Sequence, residues 1–187
     1  MRMTIRDADI RDIEGLMTLR REAAAWLQAA GIDQWNDPRT AAVALAKWEQ
    51  DIAAGRTHVV EHEGAMAATI TLARPDTDFW RPSDGLEDAV YVAKLITSRQ
   101  WAGQALGGRL LDWAGAEAQA QGKSLVRLDC WRTNEALQSF YLHEGFQHVR
   151  TEAPPHRLSG WLAQRPAFVA RHPHAKLTEA RVRAHAS

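Results

Sequence analysis

The amino-acid sequence predicts one mixed α/β domain, in which a central, mostly antiparallel sheet of about seven strands is flanked by about four helices. Runs rich in β-branched and aromatic residues alternate with runs of helical periodicity, in the order β-α-α-β-β-β-α-β-α-β-β. A chain of 187 residues with 45 % hydrophobic composition is long enough to bury one substantial core. The element order implies one parallel crossover, across the third helix.

The first third of the chain predicts a strand followed by two helices. A short β-like run over Met3–Arg6 precedes Asp9, and Asp12 three residues later gives a capping-box-like start to a helix. That helix is expected to end at Gly31, which suits a left-handed cap. Thr40–Ala54 has the pattern of the second helix.

A hairpin and a long strand follow. The β-like runs Thr57–Glu61 and Ala65–Leu72 are joined by a short loop with Gly64 where a hairpin needs positive φ. Pro75–Asp88 is rich in Pro, Asp and Gly and is expected to be a loop. Ala89–Ile96 then reads as a strand because β-branched and aromatic residues are frequent in it.

The second half begins with a glycine-rich turn and a long helix. Apolar residues at helical spacing place this helix from near Leu106 to near Gly122. The remaining predicted elements are a strand over Leu125–Cys130, a helix over Asn134–Glu144, and strands over Phe146–Thr151 and Leu158–Leu162.

Composition and charge limit the function. Lysine plus arginine equals aspartate plus glutamate, at 23 each, so no overall field draws the protein to nucleic acid or to an anionic membrane. The single cysteine, the absence of a signal-peptide-like start and the lack of a long apolar run predict a cytoplasmic protein without a membrane partner. We expect the domain at residues 1–163, and a basic, proline-interrupted, loosely ordered tail at residues 164–187.

The glycine-rich turn between the Ala89–Ile96 strand and the following helix carries the strongest functional signal. Small residues recur at positions 103, 105, 107 and 108 and leave main-chain N–H groups uncovered. The helix N-terminus adds partial positive charge, so a pyrophosphate could be held without a cationic cluster. The Walker lysine and the G-x-G-x-x-G fingerprint are both missing, which argues against nucleotide hydrolysis and hydride transfer. A tight turn that only packs helix against strand is the alternative.

Gln100, Gly103 and Ala105 form one motif, and the segment from Asn134 to Phe146 forms a second. The first resembles the pyrophosphate motif Q/R-x-x-G-x-G/A, and the second the N-x-x-A/L-x-x-F/Y-Y-x-x-x-G-F region, of the GNAT superfamily of acyl-coenzyme A-dependent N-acyltransferases. The resemblance covers about residues 3–163. It implies the GNAT fold with acetyl-CoA bound at the parallel βαβ crossover. It also implies transfer of the acetyl group to a primary amine of a small molecule or peptide by direct attack in a ternary complex.

The resemblance also implies which segments hold the coenzyme. The pantetheine arm would pair with the strand that ends at Leu95 and Ile96, and the thioester would lie where the Ala89–Ile96 and Leu125–Cys130 strands separate. Main-chain amides of the turn would bind the diphosphate. The expected cofactor-binding residues are Leu95, Ile96, Gln100, Trp101, Ala102, Gly103, Gln104, Ala105, Leu106, Gly107, Gly108, Asn134 and Tyr141.

Tyr141 and Asp129 are the expected catalytic residues. Tyr141 matches the family's usual general acid, and a phenol of pKa about 10 can protonate a departing thiolate whose thiol pKa is about 8.5. An acidic residue at the place of Asp129 serves as base in ribosomal-protein N-terminal acetyltransferases of the superfamily. Direct abstraction from an ammonium would cost about 8 kcal/mol, so Asp129 would act through water, or the site would capture the neutral amine. The alternatives are a core aromatic for Tyr141 and an Arg127–Asp129 pair on the strand.

By the same resemblance, the first two helices and the Pro75–Asp88 loop line the acceptor side. Aromatic walls suit a cationic amine. The expected substrate-binding residues are Trp26, Trp35, Trp80 and Tyr91.

The sequence bears on three other kinds of site or function. No metal site is expected, because His58 and His62 lack a third ligand at a recognisable spacing and Cys130 fits a small core side chain. A non-catalytic acyl-CoA sensor and an acyltransferase acting on aminoacyl-RNA through the basic tail stay open. The domain lacks a basic stripe, which favours an amine acceptor over nucleic acid. A homodimer is compatible with the sequence.

Overall fold

The computed structural model describes residues 3–37 and 39–180 of the chain. Within them, the predicted order of seven strands and four helices is confirmed, and an eighth strand follows. The helices are α1 (Ile13–Ala29), α2 (Arg39–Ala53), α3 (Leu106–Ala120) and α4 (Glu135–His143). The strands are β1 (Thr4–Asp7), β2 (Thr57–His62), β3 (Ala65–Ala73), β4 (Ala89–Thr97), β5 (Leu125–Trp131), β6 (Gln147–Thr151), β7 (Ser159–Pro166) and β8 (Thr178–Glu179).

All eight strands belong to one mixed sheet in the order β6-β7-β5-β4-β3-β2-β1-β8. Neighbouring strands are antiparallel except for β4 with β5 and β1 with β8. The first parallel pair is the predicted crossover across α3. The second arises because the segment after β7 returns to the edge of the sheet and places Thr178 beside Thr4.

Different helices cover the two faces of the sheet. Alternation along β2 puts Val60 in the core that α3 and α4 cover, and Val59 in the core that α1 and α2 cover. A third cluster lies beneath the β3–β4 loop (residues 74–88), where Trp80 and Tyr91 pack together. The acceptor side expected from the sequence is therefore the face that carries α1, α2 and this loop.

The segment after residue 163 differs from the expected tail. Strand β7 continues across the expected boundary to Pro166, and Arg165 is completely buried. Its Nη1 donates to the Glu144 carbonyl (2.8 Å) and its Nη2 contacts the Asp112 carboxylate (3.2 Å). The basic composition of this segment predicts arginines exposed to solvent, whereas Arg165 lies in the core and is hydrogen-bonded there. Residues 181–187 of the expected tail lie outside the described residues.

No helix within residues 3–37 and 39–180 is long and apolar enough to cross a membrane.

Candidate active site

The first turn of α3 presents main-chain donors without partners. Ala105 occupies the N-cap in a left-handed conformation (φ 50°), and no side chain caps the helix. The first intrahelical bond runs from the Arg109 N–H to the Ala105 carbonyl at 3.0 Å. Among the described residues, no hydrogen bond is formed by the N–H groups of Gly103, Ala105, Leu106, Gly107 and Gly108.

Room for an anion exists beside these donors. A Cβ placed on Gly103 would have no heavy atom within 4 Å, so the turn is open at that point. The later glycines are instead in close contact: a Cβ on Gly107 would lie 3.1 Å from Phe140 Cζ, and one on Gly108 would lie 2.1 Å from His172 Nε2. Gly103 therefore keeps the turn open, whereas Gly107 and Gly108 allow α4 and His172 to pack closely against α3. Uncapped amides at a helix N-terminus fit a diphosphate.

Strands β4 and β5 separate along their length. They pair only from Ala89↔Leu125 to Val92↔Leu128, although β4 continues to Thr97 and β5 to Trp131. Past Val92, the side of β4 that faces β5 has no partner strand within the part of the chain that the structure describes. This is the gap expected from the sequence, and its free edge can hydrogen-bond an extended chain.

Tyr141 lies on α4, in the core that α3 and α4 cover. Its ring packs against Phe140 (5.4 Å between centroids) and Phe146 (5.7 Å), and the residue is 6 % exposed. Its hydroxyl forms no hydrogen bond with the described residues. Burial raises the pKa of Tyr141 above its usual value of about 10, so the phenol keeps its proton at neutral pH.

Asn134 works mainly as a helix cap. Its side-chain oxygen accepts the Leu137 N–H (3.0 Å), and its side-chain nitrogen donates to Gln34 Oε1 (2.7 Å) in a buried contact. The predicted cofactor-binding residue therefore fixes the start of α4, which carries Tyr141, and ties it to the link between α1 and α2.

Asp129 does not form the alternative pair with Arg127. The Arg127 guanidinium donates instead to the Asp84 carbonyl (2.6 Å), the Gly85 carbonyl (3.1 Å) and the Tyr91 hydroxyl (3.2 Å). Burial raises the pKa of Asp129, and a hydrogen bond with Ser159 and the charge of Arg157 partly oppose this.

Cys130 points to the opposite face of β5, where burial raises its pKa to about 12. A thiol of that pKa is protonated at neutral pH, which fits a core side chain better than a nucleophile.

The four predicted acceptor residues fall in two places. Trp80 and Tyr91 pack edge to face (5.9 Å), with the Arg127 guanidinium 4.9 Å from the Trp80 ring, and both are buried. Trp26 on α1 is 43 % exposed, with the Arg99 guanidinium 4.4 Å from its ring. Trp35 follows α1 and contacts the Arg20 guanidinium at 5.2 Å. The structure thus keeps Trp80 and Tyr91 under the β3–β4 loop, apart from the two α1-side tryptophans.

No sequence pattern marks Asp33 as a site residue. Its Oδ1 accepts hydrogen bonds from Trp131 Nε1 (2.8 Å) and Thr133 Oγ1 (2.7 Å), at the end of β5 beyond Asp129. Those bonds lower the pKa of Asp33. A cavity of about 270 Å³ opens here, lined by Asp33, Trp131, Arg132, Thr133 and Leu158. The partners lie 98 and 100 positions along the chain, so no local pattern could have revealed them.

A larger cavity of about 540 Å³ lies at the other end of β4. Its charged lining includes Arg56, Glu87, Glu117 and Lys123. It adjoins the C-terminal end of α3, whereas the uncapped amides lie at the N-terminal end. It is therefore not part of the site formed by the turn and the strand gap.

Comparisons with known proteins agree with this geometry. Residues 53–148 match the family of acetyltransferase (GNAT) domains. An uncharacterized N-acetyltransferase of Bacillus subtilis (strain 168), YesJ, is 30 % identical over 156 residues, which cover 79 % of this chain and 83 % of that protein.

Solved structures share the fold. A GNAT-family acetyltransferase from Listeria monocytogenes is 26 % identical with a TM-score of 0.70, over 88 % of this chain and 94 % of the other. YncA of Salmonella typhimurium, solved with acetyl-CoA, is 22 % identical with a TM-score of 0.62, over 92 % and 98 % of the chains. The PaiA N-acetyltransferase of Thermoplasma acidophilum, in complex with coenzyme A, is 17 % identical with a TM-score of 0.67, over 89 % and 99 %.

Proposed function

This chain belongs to the GNAT family of acetyltransferases, and from that premise we propose that it transfers the acetyl group of acetyl-CoA to a primary amine of a small molecule or peptide. The main support is the set of N–H groups without a partner at Gly103 and at residues 105–108, around the start of α3. They lie where a strand feeds a helix, beside open space. Such donors favour a diphosphate without needing a cationic cluster.

Two segments would hold the coenzyme. The amides of Gly103 and of residues 105–108 would bind its diphosphate, and the free edge of β4 at Leu95 and Ile96 would hydrogen-bond its pantetheine arm. Similar folds in Salmonella and Thermoplasma proteins bind acetyl-CoA and coenzyme A, which supports this choice of ligand. When bound, acetyl-CoA supplies the thioester carbonyl that an amine attacks.

Tyr141 would hold the proton that the departing sulfur needs. Its hydroxyl has no hydrogen-bond partner among the described residues, so its proton is not committed to another protein group. Because burial raises its pKa, Tyr141 is a protonated hydrogen-bond donor through the neutral pH range. A donor of this kind stabilises developing negative charge before the proton moves.

Asp129 would contact the acceptor amine on the face of β5 that points away from Cys130 and the core around Tyr141. Strand alternation puts Arg127, Asp129 and Trp131 on one face and Cys130 on the other. Because the pKa of Asp129 is raised, it lies closer to the pKa of an ammonium group, and proton transfer from the amine through one water becomes less costly. A partly buried carboxylate also attracts a cationic amine.

The acceptor would enter along the face that carries α1, α2 and the β3–β4 loop. Trp26 and Trp35 lie on the α1 side and would form one wall. Trp80 and Tyr91 would form the packed wall behind Arg127 and Asp129. The carboxylate at the end of this path favours a cationic amine over a polyanion.

A screen of acceptors tests the proposal. The protein is incubated with acetyl-CoA and separate amines, namely polyamines, amino acids, aminoglycosides and peptides, and free thiol is measured with a chromogenic disulfide. Release that requires one class of amine would support the proposal. Binding of acetyl-CoA by calorimetry with no release for any amine would favour a sensor. Transfer to aminoacyl-RNA and not to free amines would replace the proposed acceptor.

A further inference from the structure

Lys94 has an unusual backbone conformation in the middle of β4. Its φ is 49°, in the left-handed region that side chains other than glycine rarely adopt. The register between β3 and β4 changes from Thr71↔Ala93 to Thr69↔Ile96, so Lys94 and Leu95 together face one residue. This is a β-bulge, and glycine is the usual residue at a left-handed bulge position. A lysine in this conformation requires contacts that stabilise it.

An ion pair with α2 holds the lysine side chain. Lys94 Nζ lies 2.5 Å from Asp51 Oδ2, and the two side chains are only 17 % and 14 % exposed. The same ammonium lies 5.7 Å from the Trp48 ring. Asp51 also accepts a bond from Arg56 Nε at 3.0 Å, so its carboxylate is fixed from two sides.

The bulge lies just after the point where β4 stops pairing with β5. The last pair between β4 and β5 is Val92↔Leu128, and Lys94 follows two residues later. The strained residue therefore comes directly before Leu95 and Ile96, whose main-chain groups would contact the pantetheine arm. Backbone strain at such a point persists only when surrounding contacts impose it.

We propose that the ion pair between Asp51 and Lys94 locks the β4 bulge and thereby positions the main chain of Leu95 and Ile96 for acetyl-CoA. Lys94 is a positioning residue, because it acts through its own backbone and does not touch the reacting atoms. The inference depends on the proposed function for its ligand. The same ion pair links α2, on the acceptor side, to β4, which would bind the coenzyme.

Variants at position 94 separate the ion pair from the backbone conformation. Lys94→Ala removes the ion pair and leaves a side chain that disfavours positive φ, whereas Lys94→Gly removes the ion pair but adopts positive φ without strain. We expect Lys94→Ala to raise the dissociation constant of acetyl-CoA at least about tenfold, and Lys94→Gly to recover most of that loss. Lys47→Ala, an exposed lysine on α2, is the matched control and should bind as the wild type does.

Amide hydrogen exchange gives a readout that does not depend on the coenzyme. In Lys94→Ala and in Asp51→Asn, the amides of Leu95 and Ile96 should exchange at least about tenfold faster than in the wild type and in Lys47→Ala. A folded Lys94→Ala variant with wild-type exchange at both amides would overturn the inference. If the wild-type protein fails to bind acetyl-CoA, the proposed function falls, and the exchange rates still decide whether the ion pair locks the bulge.

Discussion

Replacing Tyr141 by phenylalanine removes one oxygen from a packed ring. The hydroxyl forms no hydrogen bond with the described residues, and the ring contacts with Phe140 and Phe146 do not involve it. The free energy of unfolding should therefore change by less than about 1 kcal/mol. Loss of a general acid costs roughly 10²- to 10⁴-fold in turnover, or about 2.7 to 5.4 kcal/mol of barrier. The variant should thus fold normally and turn over poorly.

The assay compares turnover with stability in the same preparation. Thiol release gives kcat, calorimetry gives the affinity for acetyl-CoA, and urea denaturation gives the free energy of unfolding. The other tyrosine supplies the contrast in stability: the Tyr91 hydroxyl donates to the Leu86 carbonyl (3.0 Å) and accepts from Arg127 (3.2 Å). Tyr91→Phe should therefore lose about 1 to 3 kcal/mol of stability, because buried partners are left unpaired. A Tyr141→Phe variant with kcat within about twofold of the wild type would remove Tyr141 as the acid.

Four further variants test other parts of the account. Asp129→Asn should abolish the acidic limb of the profile of kcat/KM against pH, which lies above the usual carboxyl range because burial raises the pKa of Asp129. The stability of this variant at neutral pH should match or exceed that of the wild type, because a carboxyl whose pKa is raised in the folded state lowers stability as the pH rises through that pKa. A profile of kcat/KM against pH identical to that of the wild type would reject a role of Asp129 in proton transfer. Gly103→Val forces a β-branched residue to φ 81°, so calorimetry should detect at least about a tenfold loss of acetyl-CoA affinity; unchanged affinity would count against the turn. Gly108→Ala places a Cβ 2.1 Å from His172 Nε2 and should cost about 1 to 3 kcal/mol in urea denaturation, with part of the loss recovered by adding His172→Ala. Arg165→Ala leaves the Asp112 carboxylate with only the main-chain N–H groups of Arg171 and His172 and no opposite charge, which should cost about 3 to 5 kcal/mol. A loss under about 1 kcal/mol would show that this contact does not hold β7 in place.

The order of elements could be read from the sequence because its signals are local. Helical spacing, strand composition and terminal glycines act within a few residues, and they identified all four helices and the first seven strands. The crossover across α3 followed from element order alone. The two-residue strand β8 had no such signal, because its pairing with β1 joins residues more than 170 positions apart.

The parts of the site that depend on distant partners could not be read in this way. Asp51 and Lys94 are 43 positions apart, and a lysine in a strand does not reveal positive φ as a glycine would. Trp80 and Tyr91 illustrate a second difficulty. Aromatic residues near a loop give the same pattern whether they line a cleft or cover a core, and only the contacts of Arg127 decide between the two.

Burial also changed the chemistry expected of individual groups. A free aspartate is a poor base for an ammonium, yet Asp129 is partly buried and its pKa is raised. Arg165 has the composition of a solvated tail and is instead fully buried against Glu144 and Asp112. Neither result follows from residue type, because both depend on which elements cover the strand.

A titration of the ¹⁵N-labelled protein with acetyl-CoA, followed by backbone amide chemical shifts, tests whether the turn before α3 binds the coenzyme. If these amides hold the diphosphate, the signals of Gly103, Ala105, Leu106, Gly107 and Gly108 should shift together, with the same dissociation constant that calorimetry gives. Saturable binding that leaves all of these amides unperturbed would contradict this role of the turn.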